Sequence, residues 1–62
     1  MTNTIEIGLL DGSTVKTNDR KVIECLWKTD KVSLVEAASC LTILLNLHPS
    51  NAHRVWAYLE KL

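Results

Sequence analysis

A chain of 62 residues with seven basic and seven acidic side chains has no formal net charge, which excludes bulk electrostatic attraction to nucleic acid or to an anionic membrane. Its 47% hydrophobic content is that of a globular protein, and with no Phe the core must come from Leu, Ile, Val, Trp27 and Trp56. A single domain over residues 1–62 is expected, and because a chain this small buries only about 60% of its unfolded surface, a staple such as a partner chain is expected to support it.

No apolar run approaches the roughly 18 residues of a membrane span. Met1 to Thr4 carry none of the charge or apolar run of a secretory signal. The expected location is therefore the cytoplasm, away from membranes, with Cys25 and Cys40 reduced and buried as small apolar residues.

In chain order, residues 4–17 read as a β-hairpin, because Asp11-Gly12 interrupts two alternating segments. A two-residue loop would set Ile7 against Lys16. A three-residue loop, Leu10-Asp11-Gly12, pairs Ile7 with Val15 and Glu6 with Lys16, and collects Ile5, Ile7, Leu9 and Val15 on one face. The second register is preferred, with Gly12 in the left-handed conformation of a bulged turn. Residues 19–29 read as a first helix, capped by Asn18 or Thr17. Val22, Ile23, Leu26 and Trp27 form its apolar stripe, and Glu24 and Lys28 an i,i+4 pair on its wet side.

Ser33 and Glu36 form a capping box that opens a second helix over 34–46. Leu34, Ala37, Ala38, Leu41, Leu44 and Leu45 make its core stripe; Glu36, Ser39, Thr42 and Asn46 make its polar arc. Ile43 lies in the middle of that arc and Val35 at its edge, so these two are the candidate partner interface. Pro49 suits the first turn of a third helix over 49–62. Ala52, Val55, Trp56, Leu59 and Leu62 share one face of it. Ser50, Arg54, Ala57, Tyr58 and Lys61 share the other, with Asn51 at the edge. The fold class is α+β, mostly α: an N-terminal β-hairpin followed by a three-helix, helix-turn-helix-like bundle.

An outward face of Ser, Asn, Arg and Tyr is the chemistry of a helix that enters a DNA major groove. Arg20 to Trp27, Val32 to Ala38 and Leu47 to Lys61 together resemble the helical core of winged helix-turn-helix DNA-binding domains. Pro49-Ser50-x-Ala52-His53-Arg54, followed by Ala57-x-Leu59-Glu60, is similar to the recognition helix of IclR-type bacterial regulators. The resemblance covers residues 20–62 and includes no C-terminal wing. It implies a small phage or bacterial regulator of transcription that binds duplex DNA through its third helix. By position, Arg54 would bond guanine, Asn51 would read adenine, Ser50 or Tyr58 would hold a phosphate, and Lys61 and His48 would add backbone contacts. Ala57 leaves room for close approach. A homodimer is expected, since one copy covers too little DNA for specificity.

The alternative is a non-enzymatic protein-interaction module, a phage-type inhibitor or an adaptor subunit, which the zero net charge and the exposed Ile43 favour. No metal or cofactor is expected. His48 and His53 have the spacing of half a zinc finger, but Cys25 and Cys40 lie far outside the two to four positions such a site needs. Catalytic residues are not expected either: no group orients Cys40 or Cys25 against a histidine, and Gly8 and Gly12 form no phosphate-binding loop.

Overall fold

The computed structural model describes residues 4–62; residues 1–3, on which the reading of the N-terminus partly rests, lie outside them. Strands β1 (Ile5–Gly8) and β2 (Thr14–Thr17) pair antiparallel, with Ile7 opposite Val15 and Glu6 opposite Lys16. This is the three-residue-loop register. Leu9 N–H donates to the Ser13 carbonyl at 2.8 Å, and Gly12 has φ 93°. Asp11 steadies the loop by accepting from the Ser13 hydroxyl at 2.6 Å and its N–H at 2.9 Å. These bonds, the hydroxyl's first, hold the Asp11 carboxyl below the usual carboxylate range. Ile7 is fully buried; Ile5, Leu9 and Val15 pack beside it on the same face. Two strands are not stable alone, so this face needs a helix against it.

Helix α1 (Arg20–Lys28) is capped by Asp19, whose carboxylate accepts from Lys21 N–H at 2.9 Å. Neither Asn18 nor Thr17 takes that role. The Thr17 hydroxyl instead accepts from Asp19 N–H, which sets up the cap from one position further back. Helix α2 (Leu34–Leu44) is capped by Ser33, which accepts from Glu36 N–H at 3.2 Å. It ends two residues before the pattern through Asn46 suggests, and the reason is local. Asn46 has φ 57°, its N–H bonds the Ile43 carbonyl, and Leu47 N–H bonds that of Thr42. This is the paired closure of a Schellman motif.

Helix α1 closes in the same way. Asp30 has φ 58°, its N–H bonds the Trp27 carbonyl, and Lys31 N–H bonds that of Leu26. Both left-handed positions hold residues with a Cβ, and Asp30 also sets a negative charge at a helix C-terminus. Asp30→Gly is therefore expected to raise unfolding stability by about 1 kcal/mol, with Asn46→Gly giving less because Asn tolerates this conformation. Urea unfolding measures both; a loss of stability in Asp30→Gly would contradict this account.

The third helical segment is divided. A 3-10 turn over Pro49–Asn51 precedes helix α3 (Ala52–Glu60), so the single helix over 49–62 is not formed. The break lies at Asn51, whose backbone (φ −93°, ψ 2°) leaves the helical region and whose side chain caps nothing. At the far end the bonds from Lys61 and Leu62 tighten to the i−3 carbonyls, which ends the helix before Leu62.

Helix α2 is the central element, packed against β1, α1 and α3. The buried core is Ile7, Ile23, Val32, Ala37, Ala38, Cys40, Leu41, Val55 and Leu59. Ala37 and Ala38 allow neighbouring backbones to approach α2 closely. Val32 joins from the α1–α2 link, where a lone apolar residue between Lys31 and Ser33 has no periodicity to reveal it. Thr42, assigned to the wet arc, is buried and satisfies its hydroxyl at the Ala38 carbonyl, 2.7 Å away. Leu45, assigned to the core, is 40% exposed. Cys40 is buried, but Cys25 is exposed on α1, against expectation; both are unpaired thiols.

Trp27 Nε1–H donates to the Leu59 carbonyl at 2.7 Å. The end of α3 is thereby held at the end of the bundle where α1 stops and α2 begins. Among the described residues no helix is long and apolar enough to cross a membrane.

Candidate functional site

Helix α3 directs Val55 and Leu59 inward, with Ala52 half-buried beside them. This stripe is narrower than the apolar spacing implies. Trp56, expected in the core, is 38% exposed, and Leu62 is exposed as well. A nine-residue helix held on one side covers only the positions nearest its neighbour, and Trp56 falls one step beyond them.

The polar face divides into three environments. The Tyr58 hydroxyl donates to Glu24 Oε2 of α1 at 3.0 Å, so Tyr58 leans toward α1 rather than standing outward, and Glu24 serves this bond rather than a solvent pair with Lys28. The bond to Glu24 raises the Tyr58 hydroxyl above its ordinary pKa. His48 Nδ1 accepts from Ser50 N–H at 3.1 Å and lies 2.9 Å from the Ser50 hydroxyl. His48 and Ser50 thus close the 3-10 turn on each other instead of reaching out for phosphate. His53 Nδ1 lies 2.9 Å from the Ser50 carbonyl, a contact that bonds only with the proton on that nitrogen. Asn51 is half-buried. Of the six candidate DNA contacts only Asn51 loses its exposure; Arg54 and Lys61 are exposed as the helical spacing implies.

Two open grooves flank α3. The first lies toward α1. Leu41, Leu45 and Val55 form its floor, Arg20, Glu24, Arg54 and Tyr58 stand around it, and its volume is about 190 Å³. The second lies on the other side, between α2 and the start of α3. It is lined by Ser39, Thr42, Ile43, Leu47, Pro49 and Ala52 and measures about 240 Å³. Val35 and Ile43, the candidate interface pair, are 60% and 63% exposed. Val35, Ser39 and Ile43 follow at intervals of four along α2 and so share a face. Trp56 stands one turn beyond Ala52 by the same spacing. Residues 37–53 include no Asp, Glu, Lys or Arg, so the lining of this groove carries no charged side chain.

Leu47 and Arg20 were not singled out as site residues by sequence, Trp56 was read only as core and Glu24 only as the partner of Lys28. The run without charge from 37 to 53 is the signal that marks the second groove. For Arg20 and Glu24 no sequence signal exists, because they meet Arg54 and Tyr58 only across the packed helices.

The described residues include no group of three His, Cys, Asp or Glu side chains placed to hold a metal ion. Cys40 lies 3.7 Å from Glu36 Oε2 and 3.8 Å from the Glu6 carbonyl. Burial, and then the neighbouring carboxylate, push its thiol up to about 11, which leaves little thiolate at neutral pH. Compared with protein-family models, curated proteins and solved structures, the chain matches none of them.

Proposed function

We propose that this chain is a non-enzymatic protein-interaction module that pairs with a second copy of itself through the α2–α3 face. One observation carries the reading: Ile43 and Leu47, each more than a third exposed, line a groove without a single charged side chain, and the helices that form it also expose Val35 and Trp56. Exposed apolar residues scattered singly are ordinary, whereas a cluster around one groove is the mark of a contact surface. A second copy is the fitting occupant. In a two-fold contact the same patch meets itself, and an uncharged patch does so without opposing like charges. A standard interface takes about 800 Å² per partner, close to a fifth of the 4325 Å² surface of this chain. Pairing would also supply the burial that so short a chain lacks.

Sedimentation at high micromolar concentration should give the dimer mass. Ile43→Lys should weaken association by at least about tenfold, since it places two charges in a desolvated contact, while leaving the melting of the monomer unchanged. A monomer mass at every concentration would overturn the reading.

A second reading keeps the resemblance to helix-turn-helix proteins, with Arg54 on α3 and Lys61 just beyond it, both exposed, as its contacts to duplex DNA. With no net charge such binding would be weak and steeply salt-dependent. Shift mapping with mixed duplex DNA at low salt separates the two readings. Movement confined to the segment from Ser50 to Lys61 favours DNA, and no movement there removes it.

A further inference from the structure

The first groove has a character the self-association face lacks. Its floor is aliphatic, from Leu41, Leu45 and Val55, and two arginines, Arg20 and Arg54, are part of its lining. One acid, Glu24, shares the rim, and its Oε2 is engaged by the Tyr58 hydroxyl. Two arginines against one carboxylate leave a formal excess of one positive charge here, in a chain whose total is zero. Arg20 is close enough to Tyr58 for its charge to act on that hydroxyl, opposing Glu24.

We infer that this groove binds an acidic–aliphatic peptide segment of a partner protein, with one leucine-sized side chain on the floor and a neighbouring carboxylate at Arg20 and Arg54. The volume of about 190 Å³ is below the roughly 300 Å³ at which drug-sized ligand sites begin. It suits a single anchoring side chain of the kind that fills hot-spot pockets. Arginine's fork matches a carboxylate with two parallel hydrogen bonds, and a partly apolar surrounding strengthens them.

A nucleic-acid backbone is the poorer fit. Phosphates would gain nothing from the aliphatic floor, would meet the Glu24 carboxylate, and would find no wider basic field to draw them in. The groove uses Leu41 of α2 and Leu45 just past its end, whereas the self-association face uses Ser39 and Ile43. The inference therefore stands or falls independently of the dimer.

The test uses the full chain, ¹⁵N-labelled, titrated with three capped tetrapeptides: acetyl-Glu-Leu-Leu-Glu-amide, its glutamine-for-glutamate version and its alanine-for-leucine version. The first should move the resonances of Leu45, Arg54, Val55 and Tyr58 saturably. Both controls should bind at least about tenfold more weakly, as should the first peptide on Arg54→Gln or Arg20→Gln chains with unchanged melting. Equal binding by either control, or full binding to both arginine variants, would overturn the proposal. So would mixed duplex DNA moving these resonances where the acidic peptide moves none, which would assign the arginines to phosphate.

Discussion

Trp27→Ala should cost about 3 kcal/mol of unfolding stability, a large part of what a domain of this size possesses. Trp27 packs against the buried core from the last turn of α1, and its indole N–H is the donor for the Leu59 carbonyl at 2.7 Å. Removing the ring therefore opens a void and takes away the bond that fastens the end of α3 to the end of α1. Trp27→Phe separates the two contributions. It keeps most of the ring and loses the donor, and should cost about 1–2 kcal/mol. Trp56→Ala is the contrast: its ring is 38% exposed and outside the buried core, so the cost to monomer unfolding should stay below about 1 kcal/mol. Urea unfolding of the three variants at low protein concentration decides the matter. Equal losses for Trp27→Ala and Trp56→Ala would show that α3 packs through a different face.

Glu36→Ala should detach the hairpin from the helices at a cost of about 1.5–3 kcal/mol, the range for a hydrogen bond to a charged group. Glu36 was expected to reach back to Ser33 and complete a capping box. The structure keeps only half of that box. Ser33 caps Glu36 N–H, but the Glu36 carboxylate turns to the hairpin and accepts from Gly8 N–H at 2.9 Å. It is a polar link between β1 and α2, beside the apolar contact made by Ile7. The same carboxylate lies against Cys40, whose Sγ is also within 3.8 Å of the Glu6 carbonyl.

Cys40 therefore reports whether the hairpin is docked. In a Cys25→Ser background, a thiol reagent at pH 8 should modify Cys40 slowly, because burial and Glu36 hold its thiol at about 11. Glu36→Ala should speed that reaction by at least about tenfold, as the cover leaves and the thiol returns toward its ordinary range. Glu36→Gln should fall between, since its amide oxygen still accepts from Gly8. An unchanged rate in Glu36→Ala would mean that the apolar contacts alone hold the hairpin down.

The features legible in the sequence are those set by near neighbours. The hairpin register followed from alternation and from Asp11-Gly12, because matching Ile7 to Val15 and Glu6 to Lys16 leaves one consistent pairing. Ser33 announced the start of α2 and Pro49 the start of the turn that leads into α3, each through the backbone groups of its own first turn. The helix ends were harder to read. Asp30 and Asn46 take left-handed conformations that Gly would have advertised and that these residues do not.

Tertiary structure decided how the helix faces are used. Helical periodicity gives directions around an axis, and burial depends on where the other elements lie. Val35 and Ile43 proved as exposed as their spacing implies, whereas Trp56 left the core and Thr42 entered it. The bonds that redefine the candidate sites join residues far apart in the chain: Gly8 with Glu36, Trp27 with Leu59, and Glu24 with Tyr58, at separations of 28, 32 and 34 positions. A polar side chain with a free choice of partner takes the one that packing brings within reach, and that choice exists only once the helices have closed around α2.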